Sequence, residues 1–321
     1  MPSFTRRTLA LSALLLVLAP VIIAFAASKA PAADAAWQKS VLAWRADYEK
    51  DLRAPTGWLT LVGLEWLKPG DNAFGAAQDN AIKLKPPAAP HMGTVRLTGT
   101  EAKAPEKLEL LAPAGGFPKD LKVDGHAPAN PQTLEPDTSG HPSKLTLASL
   151  TITVIHRGEQ YALRIKDSQS PVRTRFPGLK WYAPDPAYRV RARWVPYDPP
   201  KKVMVPTVLG TEVPNDVPGA AEFTLDGQTL RLEPMVDSPT DKDLFFVLRD
   251  TTSTSTTYGA GRFLDADAPK DGLSKPGEIW LDFNEAHNPP CAYTRYATCP
   301  LPTPQNRLKV AVPAGEKRFH E

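Results

Sequence analysis

The residues of this chain that could do chemistry crowd toward its C-terminus. Cys291 and Cys299 are the only cysteines. Before them, after the apolar run Ile279-Trp280-Leu281, come Asp282, Asn284, Glu285, His287 and Asn288. Polar groups at the end of a buried strand can line a catalytic or ligand-binding mouth; the same residue types also bond nearby backbone and stabilise turns. Upstream, Thr251 to Thr257 is almost all hydroxyl and runs into Tyr258-Gly259-Ala260-Gly261-Arg262. The two glycines allow a ligand close to the backbone, and Arg262 offers a guanidinium to a carboxylate or phosphate. No helix pattern follows, so this G-x-G does not predict a dinucleotide, and no cofactor is expected. Tyr258, Arg262, Asp282, Asn284, Asn288 and Tyr296 are the candidate ligand-binding residues, as two walls of one pocket. Asp282, Glu285 and His287 are the candidate catalytic residues of an alternative, a hydrolase working around Arg262.

The cysteine pair admits three chemistries. Outside the cytoplasm two cysteines this close usually pair, so a Cys291–Cys299 disulfide is the leading expectation. Chain-entropy arithmetic for so short a loop gives about 2.5–3 kcal/mol. The loop is stiffened by Pro289, Pro290, Pro300, Pro302 and Pro304, and a disulfide would present Tyr293, Arg295 and Tyr296. In the second reading Cys291 is a nucleophile with His287 as its base; oxidising surroundings and the lack of a third member count against it. In the third, Cys291, Cys299 and His287 bind a metal, but the spacing is not that of a zinc knuckle and no metal site is expected. The chain has no G-x-S-x-G elbow and no phosphate loop.

These residues must be held by short strands. Thirty-five prolines in 321 residues is about twice the average share, which disfavours long helices and favours many ordered loops. One helical stretch stands out, at 37–56: Trp37, Val41, Trp44, Tyr48 and Leu52 form a single apolar stripe, ended by Pro55 and Gly57. From Trp58 onward the pattern is that of strands. Leu150 to His156 alternates and turns back into Gln160 to Ile165; Glu222 to Glu233 forms a second hairpin across Asp226-Gly227; Val123-Asp124-Gly125 is a third turn signal. In the second half, Arg189 to Val195 and Lys202 to Val208 read as separate strands. The expected fold is mainly β: an N-terminal helix, then two packed, sandwich-like β-rich halves, at 57–169 and 170–321.

Residues 1–26 predict export. Arg6 and Arg7 precede an apolar run from Leu9 to Ala27, and Ala24-Phe25-Ala26 supplies small residues before a cut. The Thr5-Arg6-Arg7-Thr8-Leu9 context loosely resembles a twin-arginine signal. Residues 27–36 read as a disordered spacer. The mature protein is expected in the periplasm or secreted, with no membrane span after signal removal; an uncleaved inner-membrane anchor is the alternative. The net charge is +3 and falls by two when Arg6 and Arg7 are removed, so no nucleic-acid partner is expected. The alternate Arg189, Arg191 and Arg193 fit the solvated face of a strand.

Longer motifs resemble a known family. Asp282-Phe283-Asn284, Asn288-Pro289-Pro290-Cys291-Ala292, Tyr296-Ala297-Thr298-Cys299-Pro300-Leu301-Pro302 and Asn306-Arg307-Leu308 together resemble the bacterial family called domain of unknown function 1684. Gly57-Trp58-Leu59 with Gly63-Leu64, Gly178-Leu179-Lys180-Trp181-Tyr182, and Thr257-Tyr258-Gly259 with Gly261-Arg262-Phe263 extend the resemblance over nearly the whole mature chain. It implies no chemistry. The first half also resembles a forkhead-associated-type β-sandwich, from Phe74-Gly75 through Asn80-Ala81-Ile82 to His91-Met92-Gly93 and Val123-Asp124-Gly125. Ala76, Ala89 and Pro90 stand where phosphothreonine readers of that type carry their phosphate-holding Arg and Ser, so phosphate reading is not implied. The leading functional expectation is a periplasmic binding or accessory module for a small molecule or an envelope protein, with its pocket in the C-terminal half. A structural envelope protein is a further alternative.

Overall fold

A computed structural model describes residues 32–99, 106–238 and 240–320. The expected signal segment, 1–26, lies outside the described residues. Helix α1, Ala32–Leu52, begins inside the stretch read as a spacer; its alanines are strong helix formers. Trp37, Val41 and Leu52 are buried and Trp44 and Tyr48 half-buried, so the apolar stripe is a packing face. Arg45, between those positions, is buried as well. After the helix ends the chain folds back so closely that only glycine fits at 57, where a Cβ would lie 2.4 Å from the Leu52 carbonyl oxygen. Among the described residues, no helix is long and apolar enough to cross a membrane.

The fold is mainly β, in two packed halves. The first contains β1 (Leu61–Trp66), β2 (Gly70–Gly75), β3 (Ile82–Lys83), β4 (Gly93–Thr98), β5 (Lys107–Leu111), β6 (Lys122–Val123), β7 (Gln132–Thr133), β8 (Lys144–Leu147), β9 (Leu150–Arg157) and β10 (Gln160–Asp167). They form two five-stranded sheets, ordered β1-β10-β9-β8-β6 and β3-β2-β4-β5-β7. Phe74, Val95, Leu110, Ile152 and Leu163 fill the space between them. The sandwich therefore ends, in one sheet at β1 and in the other at β3. A short helix, α2 (Pro171–Thr174), leads on to the second half.

The second half contains β11 (Arg189–Pro206), β12 (Glu212–Leu225), β13 (Gln228–Leu232), β14 (Asp243–Leu248), β15 (Arg262–Asp267) and β16 (Gly277–Asp282). Strands β13-β12-β11-β16 make one sheet and β14-β15 a ribbon. Trp194, Phe246, Leu264 and Phe283 lie in their shared core. The two strands expected between Arg189 and Val208 are one, β11, which pairs with β12 on both sides of a register shift between Pro196 and Lys201. A bulge of this kind bends a strand without ending it. The hairpin turns follow the sequence signals. Asp226 and Gly227 take φ of +50° and +69°, as the mirror-image turn between β12 and β13 requires.

The halves meet where the C-terminal loop docks on the first sheet. Leu61 of β1 packs with Val247, Phe263, Ala297 and Cys299. The Thr294 hydroxyl donates to the Leu61 carbonyl at 3.0 Å, and Arg164 of β10 donates to Thr298 at 3.4 Å.

Candidate functional site

The polar residues singled out in the C-terminal half come together, as the interior of the fold. Arg262 is fully buried. Its guanidinium donates to Asp250 at 2.8 Å and to the carbonyls of Val312, at 2.9 Å, and Ala314. Asp250 in turn accepts from the Thr252 amide and hydroxyl at 2.8 and 2.6 Å and from the Val312 amide at 3.1 Å. Arg262 opens β15, so the stretch read as a ligand-binding turn is the entry to a strand paired with β14. A buried charge is tolerable when paired and hydrogen-bonded, and the C-terminal segment is pinned by this pair.

Asn284 and Asn288 act in the same way. The Asn284 carboxamide exchanges two hydrogen bonds with the Asp185 backbone, both at 2.9 Å, and donates to Asp282 at 2.9 Å. Asp282 also caps the following turn through the Asn284 amide and accepts from Trp37 of α1 at 2.5 Å. Asn288 gives its amide and side chain to the Glu316 carboxylate at 2.8 and 2.6 Å, which also accepts from Tyr293 at 2.7 Å. Burial pushes the Glu316 carboxyl up to about 7, against the hydrogen bonds that stabilise its ionised form. Sequence reasoning passed over Glu316, Asp250 and Arg45, which carry no motif; Glu316 and Arg45 also lie 28 and 239 positions from Asn288 and Asn284.

The catalytic candidates are placed differently. His287 sits among Tyr48, Trp44 and Phe263, with ring centroids at 4.7, 5.7 and 6.1 Å. Its Nδ1 lies 3.2 Å from the Glu285 carbonyl. Burial lowers its pKa to about 4, so at neutral pH the ring is uncharged. Glu285 is half-buried; burial, with Asp282 beside it, raises its carboxyl to about 7, while Arg189 and Arg45 oppose the rise.

Cys291 and Cys299 lie together as free thiols. The Cys291 amide meets the Cys299 sulfur at 3.4 Å, and the Tyr258 hydroxyl donates to the Cys291 carbonyl at 3.0 Å. Hydrogen bonding from Cys299, and after it from Tyr258, holds the Cys291 thiol below the ordinary range despite burial. The same bond and burial push Cys299 up. Cys291 is therefore the sulfur that ionises first. Among the described residues no group of acidic, His and Cys side chains could hold a metal ion.

Room for a ligand lies elsewhere. A cleft of about 470 Å³ opens at the seam between the halves. One wall comes from β1 and the ends of β10 and α2, a second from Lys83 to Pro86 on and after β3, and a third from Tyr293 to Tyr296. Of the candidate ligand-binding residues, Tyr296 is on that wall. Tyr258, Arg262, Asp282, Asn284 and Asn288 do not line the cleft. The physical reason is packing: those side chains are spent on one another and on backbone. A second, more open cavity of about 580 Å³ near His156 and Tyr161 is bounded by Glu106, the first described residue after 105.

A sandwich joined to a second β-rich half through a C-terminal loop defines the protein by architecture. Residues 174–317 match the family described as "Protein of unknown function (DUF1684)", and the chain belongs to that family. The match takes in the C-terminal motifs; Gly57 to Leu64 lies outside it. The chain is also similar to an uncharacterized protein from Haloarcula marismortui solved by solution NMR, at 34% identity over 45% of this chain and 78% of that one, with a TM-score of 0.38. No curated protein matches.

Proposed function

We propose that this is an exported small-ligand-binding module whose ligand occupies the seam cleft. The observation that carries the reading is the cleft: about 470 Å³, within the range of small-molecule sites, and at a junction between two packed units, where such sites concentrate. Tyr296 gives its third wall aromatic surface with a polar tip.

Export rests on the signal pattern of residues 1–26. In an oxidising compartment Cys291 and Cys299 would lose two electrons and two protons to a disulfide oxidant by thiol–disulfide exchange. The new S–S bond would close the loop carrying Tyr293 to Tyr296. A stiff wall lowers the ordering cost of binding.

Val172 is exposed on α2 and lines the cleft, so Val172→Trp fills the site with little demand on the core. A chemically diverse library, read by thermal shift, should yield compounds that raise the melting temperature of the parent chain and not of Val172→Trp. Compounds acting equally on both, or none at all, would overturn the reading. Cell fractionation with mass spectrometry of the mature N-terminus tests export; an intact residue 1 in the cytoplasmic fraction refutes it. Thiol titration of the exported chain tests the disulfide, which two free thiols exclude.

A further inference from the structure

We infer that the cleft takes a single-chain amphiphile with an anionic head. This rests on the cleft being a ligand site and names what fills it. Leu84, Leu150 and Ile165 belong to the sandwich core, and Val62 packs against it. All four line the cleft. The cleft is thus the place where the core of the first half opens outward, between β1 at the end of one sheet and β3 at the end of the other. Val62, Val172 and Tyr296 supply the partly exposed apolar lining above these buried side chains, and an apolar chain laid there removes that surface from water, the general driving force for binding at such a site.

The rim is cationic. Ile82 and Leu84 are buried while Lys83 and Lys85 are exposed, so the two lysines share a face, about 6.5 Å apart along an extended chain. Arg295 is exposed on the C-terminal loop. All three line the cleft, and none of their side chains has an ion-pair or hydrogen-bond partner among the described residues. Glu65 and Asp167 line it as well. Glu65 pairs in register with Leu163 of β10, four residues from Asp167, which puts the two carboxylates about 13 Å apart along the strands. Asp167 is further engaged by the Gln169 amide at 2.8 Å. The cations outnumber the carboxylates three to two. A cationic amphiphile would meet like charge at Lys83, Lys85 and Arg295. A neutral one would gain the floor alone, and a small hydrophilic anion the rim alone.

The test is calorimetric titration of the mature chain with decanoate, decyl phosphate, 1-decanol and decyltrimethylammonium. The comparison proteins are Val172→Trp and the combined variant Lys83→Gln, Lys85→Gln and Arg295→Gln. Decanoate or decyl phosphate should bind the parent chain, and the two separate a carboxylate from a phosphate head. Binding should weaken about tenfold in the combined variant, weaken with salt and vanish in Val172→Trp, with the melting temperatures of the free proteins retained. Decyltrimethylammonium or decanol binding as tightly as decanoate, and blocked by Val172→Trp, overturns the anionic head but leaves the cleft as a ligand site. Failure of all four probes while library compounds still respond to Val172→Trp overturns the amphiphile and again leaves the site. If the library also fails, both readings fall.

Discussion

Two polar regions of this protein make opposite use of charge. In the C-terminal interior, Arg262 and Asp250 are buried and paired, and Asn288 and Tyr293 both donate to Glu316. At the seam, Lys83, Lys85 and Arg295 are exposed and unpaired over an apolar floor. The first region is rich in motif, and its polarity holds chain segments together. The second has almost no motif, yet it has room and unspent charge. A dense run of Asp, Asn, His and Arg thus signals a demand for hydrogen bonds, and burial decides whether protein or ligand meets it.

The contrast can be broken at its strongest point first. Asp250→Ala leaves the Arg262 guanidinium buried without its carboxylate and should cost about 3–5 kcal/mol in urea unfolding. A loss below about 1 kcal/mol would mean that the pair holds nothing. Next comes the thiol pair. If the exported chain carries the disulfide, Cys299→Ser or a reductant should remove about 2.5–3 kcal/mol, while an unchanged melting temperature would leave the loop held by packing alone.

The third test is pH. Glu316 has a folded-state pKa of about 7 against an ordinary 4.5, so the folded chain binds a proton that the unfolded chain releases. Stability from this group is fully present below about pH 4.5 and declines as pH rises through about 7, by an amount on the order of 3 kcal/mol. Glu285 adds a smaller decline in the same direction, screened by its partial exposure. Melting curves across this window should show the slope, and Glu316→Gln should flatten part of it; an identical slope in the variant would remove Glu316 from the account. The smallest effect sharpens the comparison from the other side. Lys83→Gln, Lys85→Gln and Arg295→Gln should each change stability by less than about 0.5 kcal/mol. A larger loss would mean that the rim is scaffold too.

Much of the fold was legible because its determinants are local. The stripe from Trp37 to Leu52 spells one face of α1. Asp226-Gly227 and Asp124-Gly125 demand left-handed backbone, and both take it, with φ from +50° to +84°. Strands β2 and β15 were not recognised. Gly70, Asp71 and Gly75 interrupt the first, and the second begins on Arg262, a residue whose place in a strand makes sense only with Asp250 beneath it. The candidate site divides in the same way. That the C-terminal polar residues work as a group could be read from the chain; that they form an interior could not. Asn288 meets Glu316 from 28 positions away and Arg45 meets Asn284 from 239.

The sequence by itself determined the β-rich class, the single amphipathic helix, the hairpin turns, the family and the proximity of Cys291 to Cys299, because each rests on neighbours or on motif. Tertiary structure alone decided which polar groups are buried and where space remains. The cleft draws its walls from residues between 61 and 296, and no local pattern encodes a volume left between surfaces that meet only on folding.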